Sequence, residues 1–515
     1  MASKWWTLLV VCLAIFMLLL DITVVNVALP DIQKDLGASF EDLQWVVDAY
    51  ALALAALLLA SGSIADLLGR RRVFVAGVLL FVMASLLCGL SSSPTMLNVS
   101  RGLQGIGGAM MFATSLALIA QEFPPNERGT AFGIWGATTG FAVAVGPLVG
   151  GALTEAFGWE WIFLVNVPIG LLTAAITVAR VPESERDPTA RIDWAGVLTF
   201  SAGLFCLVLA LIRGNDEGWV SGQILGLLAA AVILIAVFAT IELRREQPML
   251  DLRLFRKPAF TGAQIVAFTL HASMFSMFLY LTLYMQNVLG YSPLETGVRF
   301  LPISLLSFLA APIAGKLAER LPVRAFLGAG LVCVGVGLLL MSGIEPSDDW
   351  TTLLAGFIVA GVGIGFINPP LATAAIGVVE PRRAGAASGI NSTFRQVGTA
   401  VGIAGLGALL QSKVSDKLDA ALANAPLPRG AASHIAEAVS SGGTSAAARG
   451  VPAPVRGLVA NTARRAFIEG LNEILVVAAV LAFVGAALAL LLVRRRDFVT
   501  APAGPPPTPA AEPAT

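Results

Sequence analysis

Long apolar stretches follow one another along most of this chain, separated by short polar joints. Stretches of membrane-spanning length fall at about 6–29, 43–65, 72–91, 95–121, 130–153, 161–180, 193–212, 221–241, 259–286, 294–315, 323–343, 351–378, 385–411 and 467–493. A helix needs about 20 apolar residues to cross a bilayer core. The pattern therefore predicts fourteen spanning helices. Several hold Gly and Pro, which membrane helices tolerate because their neighbours satisfy the freed backbone groups. Composition agrees, with 57% of 515 residues hydrophobic and 13% charged, against about 25% charged in soluble proteins. The first stretch has one preceding basic residue, Lys4, and no small-residue cleavage site after it. It reads as a retained span and not as a signal peptide. The tail 498–515 is rich in Pro and Ala, and is expected to be disordered.

Charge placement sets an orientation. An even number of spans puts both termini on one side. Arg70–Arg72, Arg180, Arg244, Arg245, Arg382, Arg383 and Arg494–Arg496 then share that side, while the short opposite loops carry Lys34 and Arg213. The positive-inside rule makes the arginine-rich side cytoplasmic. The outer segment 412–466 departs from it with seven basic residues; its Ala, Gly, Ser and Pro content suggests a flexible or short-helical hairpin. Lys+Arg and Asp+Glu balance at 33 each, so net charge does not point to a nucleic-acid partner. Cys12, Cys88, Cys206 and Cys333 have no paired spacing and read as small apolar packers.

The chain repeats. Gly62, Ala65 and Asp66 recur as Gly315, Ala318 and Glu319. Pro125, Gly129, Ala131, Gly133, Gly146 and Gly151 recur as Pro381, Gly385, Ala387, Gly389, Gly402 and Gly407. Residues 1–180 and 258–493 thus read as two parallel six-helix bundles with an inserted helix pair at 193–241. Duplicated bundles imply a site at their interface near mid-membrane, opened alternately to each side.

Ionisable groups inside spans are the candidates for chemistry, because they are costly there and are usually functional. Asp21 in span 1 lies about 13 Å below the outer face, Asp48 about 8 Å and Arg101 about 10 Å, counting 1.5 Å per residue. An Asp21–Arg101 pair would lower the cost of both charges, and a proton on Asp21 would release the arginine. A static pair that only orients helices is the plainer reading. Asp48, nearer the surface, is either a site residue or a solvated helix end. On the inside, GSIADLLGRRR at 62–72 offers a tight turn at Gly62 and Gly69, with Asp66 available to a helix N-terminus or to a base such as Arg70 or Arg71. A charge latch on the cytoplasmic side is one reading, topology-setting arginines the other. Gly146 and Gly150 share a helix face and permit close approach, and Pro147 favours a bend; Gly151 follows. In the second half His271 and Arg395 fall roughly 18–20 Å from the inner face. With Tyr280, Tyr284 and Asn368 they are candidates to line a substrate cavity, though helix packing is the plainer reading for His271 and the tyrosines. No GxxxxGK[ST] phosphate loop is seen, which argues against ATP-driven transport, and no catalytic triad or metal cluster is apparent, so no cofactor and no metal is expected.

Joint presence of these segments resembles the major facilitator superfamily, and within it the fourteen-span drug:proton antiporter branch. LDITVVNVALP at 20–30 is similar to the branch's first-helix motif. GSIADLLGRRR is similar to the superfamily's loop 2–3 motif, Arg101, Gln104 and Gly105 to the span 4 motif, and Gly146, Pro147, Gly150 and Gly151 to the span 5 antiporter motif. WEWIFLVNVPIG at 159–170 fits too, with Glu160 where arginine is usual. Asp48 stands where threonine is commoner, as in quaternary-ammonium and methylenomycin-type exporters. The resemblance implies an all-α major facilitator fold in a bacterial plasma membrane, not an enzyme, exchanging protons for a small amphipathic and in some cases cationic compound. It links Arg101 to proton transfer; with the depth argument this makes Asp21 the expected proton carrier, Arg101 its coupling partner and Asp48 a second acid, and Gly62, Asp66, Gly69, Arg70 and Arg71 the expected cytoplasmic gate. Two other readings are a dedicated exporter of one endogenous metabolite, lipid or siderophore, and a non-transporting membrane receptor.

Overall fold

The computed structural model describes residues 3–184, 192–245, 248, 250–318, 321–379, 384–422 and 456–494. Among them there are helices and no strands. The long helices, in chain order, are α1 (Ser3–Leu36), α2 (Phe40–Leu68), α3 (Arg70–Gly89), α4 (Pro94–Glu122), α5 (Pro125–Phe157), α6 (Trp161–Arg180), α7 (Trp194–Glu217), α8 (Gly222–Arg244), α9 (Pro258–Val288), α10 (Leu301–Ala318), α11 (Val323–Met341), α12 (Leu354–Gly377), α13 (Ala384–Leu422) and α14 (Arg456–Leu492). Thirteen of the described helices are long and apolar enough to cross a membrane. The remaining predicted span lies in α5, whose apolar stretch is Leu148–Phe157. The side chains of Val143, Ala144 and Pro147 lie outside the described residues. The expected disorder of 498–515 falls there too, while the backbone at Pro147 is helical within α5.

Local sequence explains the helix ends. Ser39 accepts the Asp42 backbone N–H while Asp42 accepts that of Ser39, a reciprocal cap that starts α2. Ser93 caps α4 with proline at the next position, and Ser221 caps α8. Between α2 and α3 the chain turns at Gly69, whose φ of 107° suits glycine alone. A β-carbon there would also stand 2.6 Å from the Glu183 carboxylate.

Two departures from the expected pattern matter. The helix expected at 259–286 holds two π segments, His271–Phe275 and Tyr284–Val288. Such widened turns are common where function needs a local distortion, and here Gly398 and Gly402 of α13 press on the carbonyls of Phe268 and Ala272. The flanks of the expected outer hairpin 412–466 continue α13 and α14 as helix to Leu422 and from Arg456. Lys413–Glu473 and Lys417–Glu469 ion pairs join the two extensions, at 3.1 and 2.5 Å. The middle of that segment, 423–455, lies outside the described residues.

Helices α2, α3 and α4 pack together, as do α1 and α5; α10, α11, α12 and α14 form the corresponding group in the second part of the chain. α7 and α8 pack on each other, and α7 also touches α2 and α13. The main seams between the parts are α5 against α10 and α2 against α13, with α4 against α13 and α5 against α12 beside them. Both main seams are thin. A β-carbon on Gly129 would stand 2.3 Å from the Gly315 carbonyl oxygen, and one on Gly62 would stand 2.3 Å from that of Gly385. The sequence repeat equates Gly62 with Gly315 and Gly129 with Gly385, so the two contacts are copies of one another.

Candidate functional site

Asp21 is the centre of a closed polar cluster. Apart from Ser3, Lys4 and Thr7 the first five turns of α1 are apolar, so the helix carries the carboxylate deep among its neighbours, where it is 1% exposed. Arg101 Nη1 donates to its Oδ2 at 2.5 Å. Gln104 Nε2 donates to its Oδ1 at 2.8 Å, and Asn166 Nδ2 to the same oxygen at 3.1 Å. Gln104 lies one turn beyond Arg101 on α4, so both reach α1 from one face. Gln104 also accepts from Arg101 Nη1 at 2.6 Å and donates to Ser85 of α3 at 2.8 Å. Arg101 Nε donates to the Val46 carbonyl of α2 at 2.9 Å. The guanidinium lies over the Tyr50 ring, 4.3 Å from its centre, and 5.7 Å from that of Phe163. Thus α1, α2, α3, α4 and α6 all contribute to one ion pair.

Each charge is therefore paired and hydrogen-bonded, the condition under which burial is tolerated. Arg101 is the expected partner, and the structure brings it to Asp21. Gln104, Asn166, Ser85 and Tyr50 extend the expected set. Gln104 and Asn166 stand inside segments singled out from the sequence, but neutral polar residues in apolar runs do not announce whom they bind. Asp48 is half-buried on α2, two residues before Tyr50.

The glycine face of α5 lies directly against α1 beside this cluster. A β-carbon on Gly146 would fall 1.7 Å from Thr23 Oγ1, and one on Gly150 3.0 Å from the Val24 α-carbon. Thr23 and Val24 are two and three residues past Asp21, so α5 covers the carboxylate's outward side. No neighbour lies within 4 Å of a β-carbon on Gly151, which sets it apart from the other two.

Asp66 joins the two parts of the molecule. It accepts the backbone N–H groups of Gly385 and Ala386 at 3.0 and 2.9 Å, at the first turn of α13. Arg70 donates to the same carboxylate, Nε at 3.0 Å and Nη2 at 2.9 Å. The sequence left a helix N-terminus and a base as alternatives; Asp66 takes both. The first N–H groups of a helix have no partners within it and carry partial positive charge, so a carboxylate from another helix is an efficient cap. Arg71 and Arg72 face Glu183 beyond α6, at 3.7 and 3.6 Å. Glu319, the repeat partner of Asp66, lies outside the described residues.

The second part of the chain is arranged differently. Phe357, the counterpart of Arg101, is buried against Phe300. His271 is buried, its Nδ1 3.0 Å from the Ala267 carbonyl and its ring stacked on Phe275 at 4.3 Å. Tyr280 donates to the Ile403 carbonyl at 2.5 Å, so its hydroxyl serves the α9–α13 contact, and Tyr284 is buried in the core. Asn368 of α12 is buried against Gly136 of α5. Arg395 of α13 is buried, donates Nε to Asn391 at 3.1 Å, and lies 5.5 Å from the centre of the Trp135 ring of α5. Among the described residues no group of His, Cys, Asp and Glu is placed to hold a metal ion.

Comparison with known proteins agrees with this architecture. A profile of the Major Facilitator Superfamily matches residues 11–403. The tetracenomycin C resistance and export protein of Streptomyces glaucescens is 34% identical over 491 residues, 94% of this chain and 91% of that one. The multidrug resistance protein Stp of Mycobacterium tuberculosis (strain CDC 1551 / Oshkosh) is 38% identical over 414 residues, 80% of this chain and 77% of that one. In fold, the chain is similar to the crystal structure of the human organic anion transporter MFSD10 (TETRAN), with a TM-score of 0.61 at 15% identity, covering 93% of this chain and 99% of that one. A family profile across most of the chain, relatives at this identity and coverage, and the all-helical fold place this protein in the major facilitator superfamily.

Proposed function

We propose that this protein is a proton-coupled exporter of drugs or antibiotics, working by alternating access in a bacterial plasma membrane with both termini cytoplasmic. Residues 1–180 and 258–493 are the two moving bundles, and 193–241 is a helix pair held beside them. The observation that carries the reading is the Asp21–Arg101 pair, buried at membrane depth and held in place by polar groups of three other helices, α2, α3 and α6. Intramembrane carboxylates of this kind are usually kept for ion or proton movement. The export and resistance relatives support the substrate class.

The chemistry follows from the cluster. With Asp21 ionised, its carboxylate holds Arg101, Gln104 and Asn166 together. A proton entering from outside neutralises Asp21 and removes the charge that anchors Arg101. The cluster then loosens, α5 moves on the glycine face that covers Thr23 and Val24, and the bundles rock toward the cytoplasmic opening. Substrate binding there favours loss of the proton inward, the pair re-forms, and Asp66 recaptures the first turn of α13. Asp48 gives the outer part of the path a negative charge that favours cationic groups. The energy source is the proton gradient; no cofactor takes part.

The test is drug export in cells carrying wild-type or Asp21→Asn protein at equal membrane abundance. The wild type lowers ethidium accumulation in a manner abolished by a protonophore, and the variant does not lower it. Protonophore-sensitive export by the variant at the wild-type rate would overturn the assignment of Asp21.

A further inference from the structure

We propose that Arg395 and Trp135 form a subsite for the anionic group of a planar aromatic substrate, a carboxylate or an ionised phenol. The inference rests on the reading of the seam between the two parts as the transport path, and it names the substrate chemistry of that path.

Arg395 differs from Arg101 in one decisive respect. Arg101 has a carboxylate 2.5 Å away. Arg395 is 5% exposed, and no carboxylate among the described residues pairs with it. Among the described residues its side-chain hydrogen bond goes from Nε to the neutral Asn391, and its buried Nη2 has no partner. Guanidinium keeps its charge in proteins, so it cannot escape burial by losing a proton as a lysine would. An uncompensated buried cation is among the costliest groups a protein can hold.

The other buried polar atoms nearby have the same bias. Trp135 of α5 is 1% exposed, and its Nε1–H has no acceptor among the described residues. Gln264 accepts from Asn391, which accepts from Arg395; at the far end of this relay the Gln264 Nε2 donor is also unpartnered. Three unused donors thus belong to one connected group spanning α9, α13 and α5. The Asn368 amide oxygen, against Gly136, is unpartnered as well. Oxygen and nitrogen of such an amide exchange by a simple flip, so this group adapts to either sense.

Donors without acceptors around a fixed positive charge define the ligand as an acceptor, and a negative one. The guanidinium fork matches a carboxylate through two parallel N–H···O bonds. The Trp135 ring beside it, with Phe112 6.1 Å away, adds an aromatic wall for a flat ring system. Arg395 belongs to one moving part and Trp135 to the other, so a ligand held by both is sensed by both.

The test is direct binding to the purified full-length protein, using 2-naphthoate and 2-naphthamide, which share a ring and differ in charge. The wild type binds naphthoate at least about tenfold more tightly than the amide. Arg395→Gln abolishes that preference, Arg395→Lys keeps a reduced one, and Trp135→Phe weakens both ligands. Thermal unfolding of each variant in the same detergent separates lost binding from lost folding, and Arg395→Lys serves if the glutamine variant does not fold. Equal affinity for the two probes in the wild type would overturn the proposal. So would naphthoate binding untouched in Arg395→Lys and Arg395→Gln, or its complete displacement by chloride at near-physiological concentration, which would make the subsite one for a small inorganic anion. Binding is read without transport, so failure of proton-coupled ethidium export would leave this result standing, and the converse also holds.

Discussion

At the residue scale, the account turns on how a carboxylate and a guanidinium are kept inside the membrane. Asp21 and Arg101 are each nearly fully enclosed and satisfied by several partners. Removing one member of a buried pair leaves the other charge uncompensated and costs about 3–5 kcal/mol. Asp21→Asn keeps the amide contacts to Gln104 and Asn166 and should sit at the low end, about 3 kcal/mol. Adding Arg101→Met removes the stranded cation and should restore part of the loss. Denaturant unfolding in detergent of the two single variants and the double variant measures this; strict additivity would contradict a coupled pair. Much of this site was legible in the sequence, because depth along an apolar run follows from residue counting. Asp21 and Arg101 came out at similar depths and are in contact. Gln104, Asn166, Ser85 and Tyr50 were not assigned, since a neutral polar residue costs little in a helix and its rotation about the helix axis is not fixed by its depth. The bareness of Arg395 was hidden for the same reason. Its depth was readable, but the absence of a carboxylate facing it is a property of the packing of three helices.

At the element scale, the contacts that join the two parts beside Asp66 are glycine against glycine, strengthened by one carboxylate. The seam at Gly129–Gly315 is repeated at Gly62–Gly385, and Asp66 caps the first turn of α13. Hydrogen bonds to a charged group contribute about 1.5–3 kcal/mol each. Losing two of them in Asp66→Ala would shift the balance between closed and open states by at least about 3 kcal/mol, or roughly 100-fold. Cysteines placed along the seam should then react faster with a thiol reagent from the cytoplasmic side, with substrate affinity in the closed state little changed. Unaltered reactivity together with weakened binding would count against a latch. Gly129→Val should act in the same direction, because its side chain has to displace the α10 backbone; its labelling from the cytoplasmic side is expected to rise with that of Asp66→Ala, and wild-type labelling would contradict the close approach. The repeat in the sequence marked these glycines as equivalent without saying what they touch. The π segments of α9 were not foreseeable, since hydrophobic periodicity is nearly the same in α and π turns over five residues. The helical extensions of α13 and α14 were masked by Ala, Ser and Gly content; the Lys413–Glu473 and Lys417–Glu469 pairs reveal them only once the two helices are side by side.

At the scale of the whole molecule, the two parts share a plan and differ in charge. The first encloses a paired acid and base; the second holds an arginine with no acid paired to it among the described residues, and the seams between them are glycine-lined. In this account the proton acts within the first part, and the exchange depends on Asp21 changing charge. The most direct measurement uses inside-out vesicles containing equal amounts of wild-type or Asp21→Asn protein, energised with an inward-acid pH gradient. Uptake of ethidium and release of lumenal protons are followed together. The account predicts that ethidium drives proton release from wild-type vesicles, and that Asp21→Asn vesicles show neither gradient-driven uptake nor ethidium-dependent proton release. Gradient-driven uptake with matching proton release in the Asp21→Asn vesicles, at the wild-type rate, would contradict it.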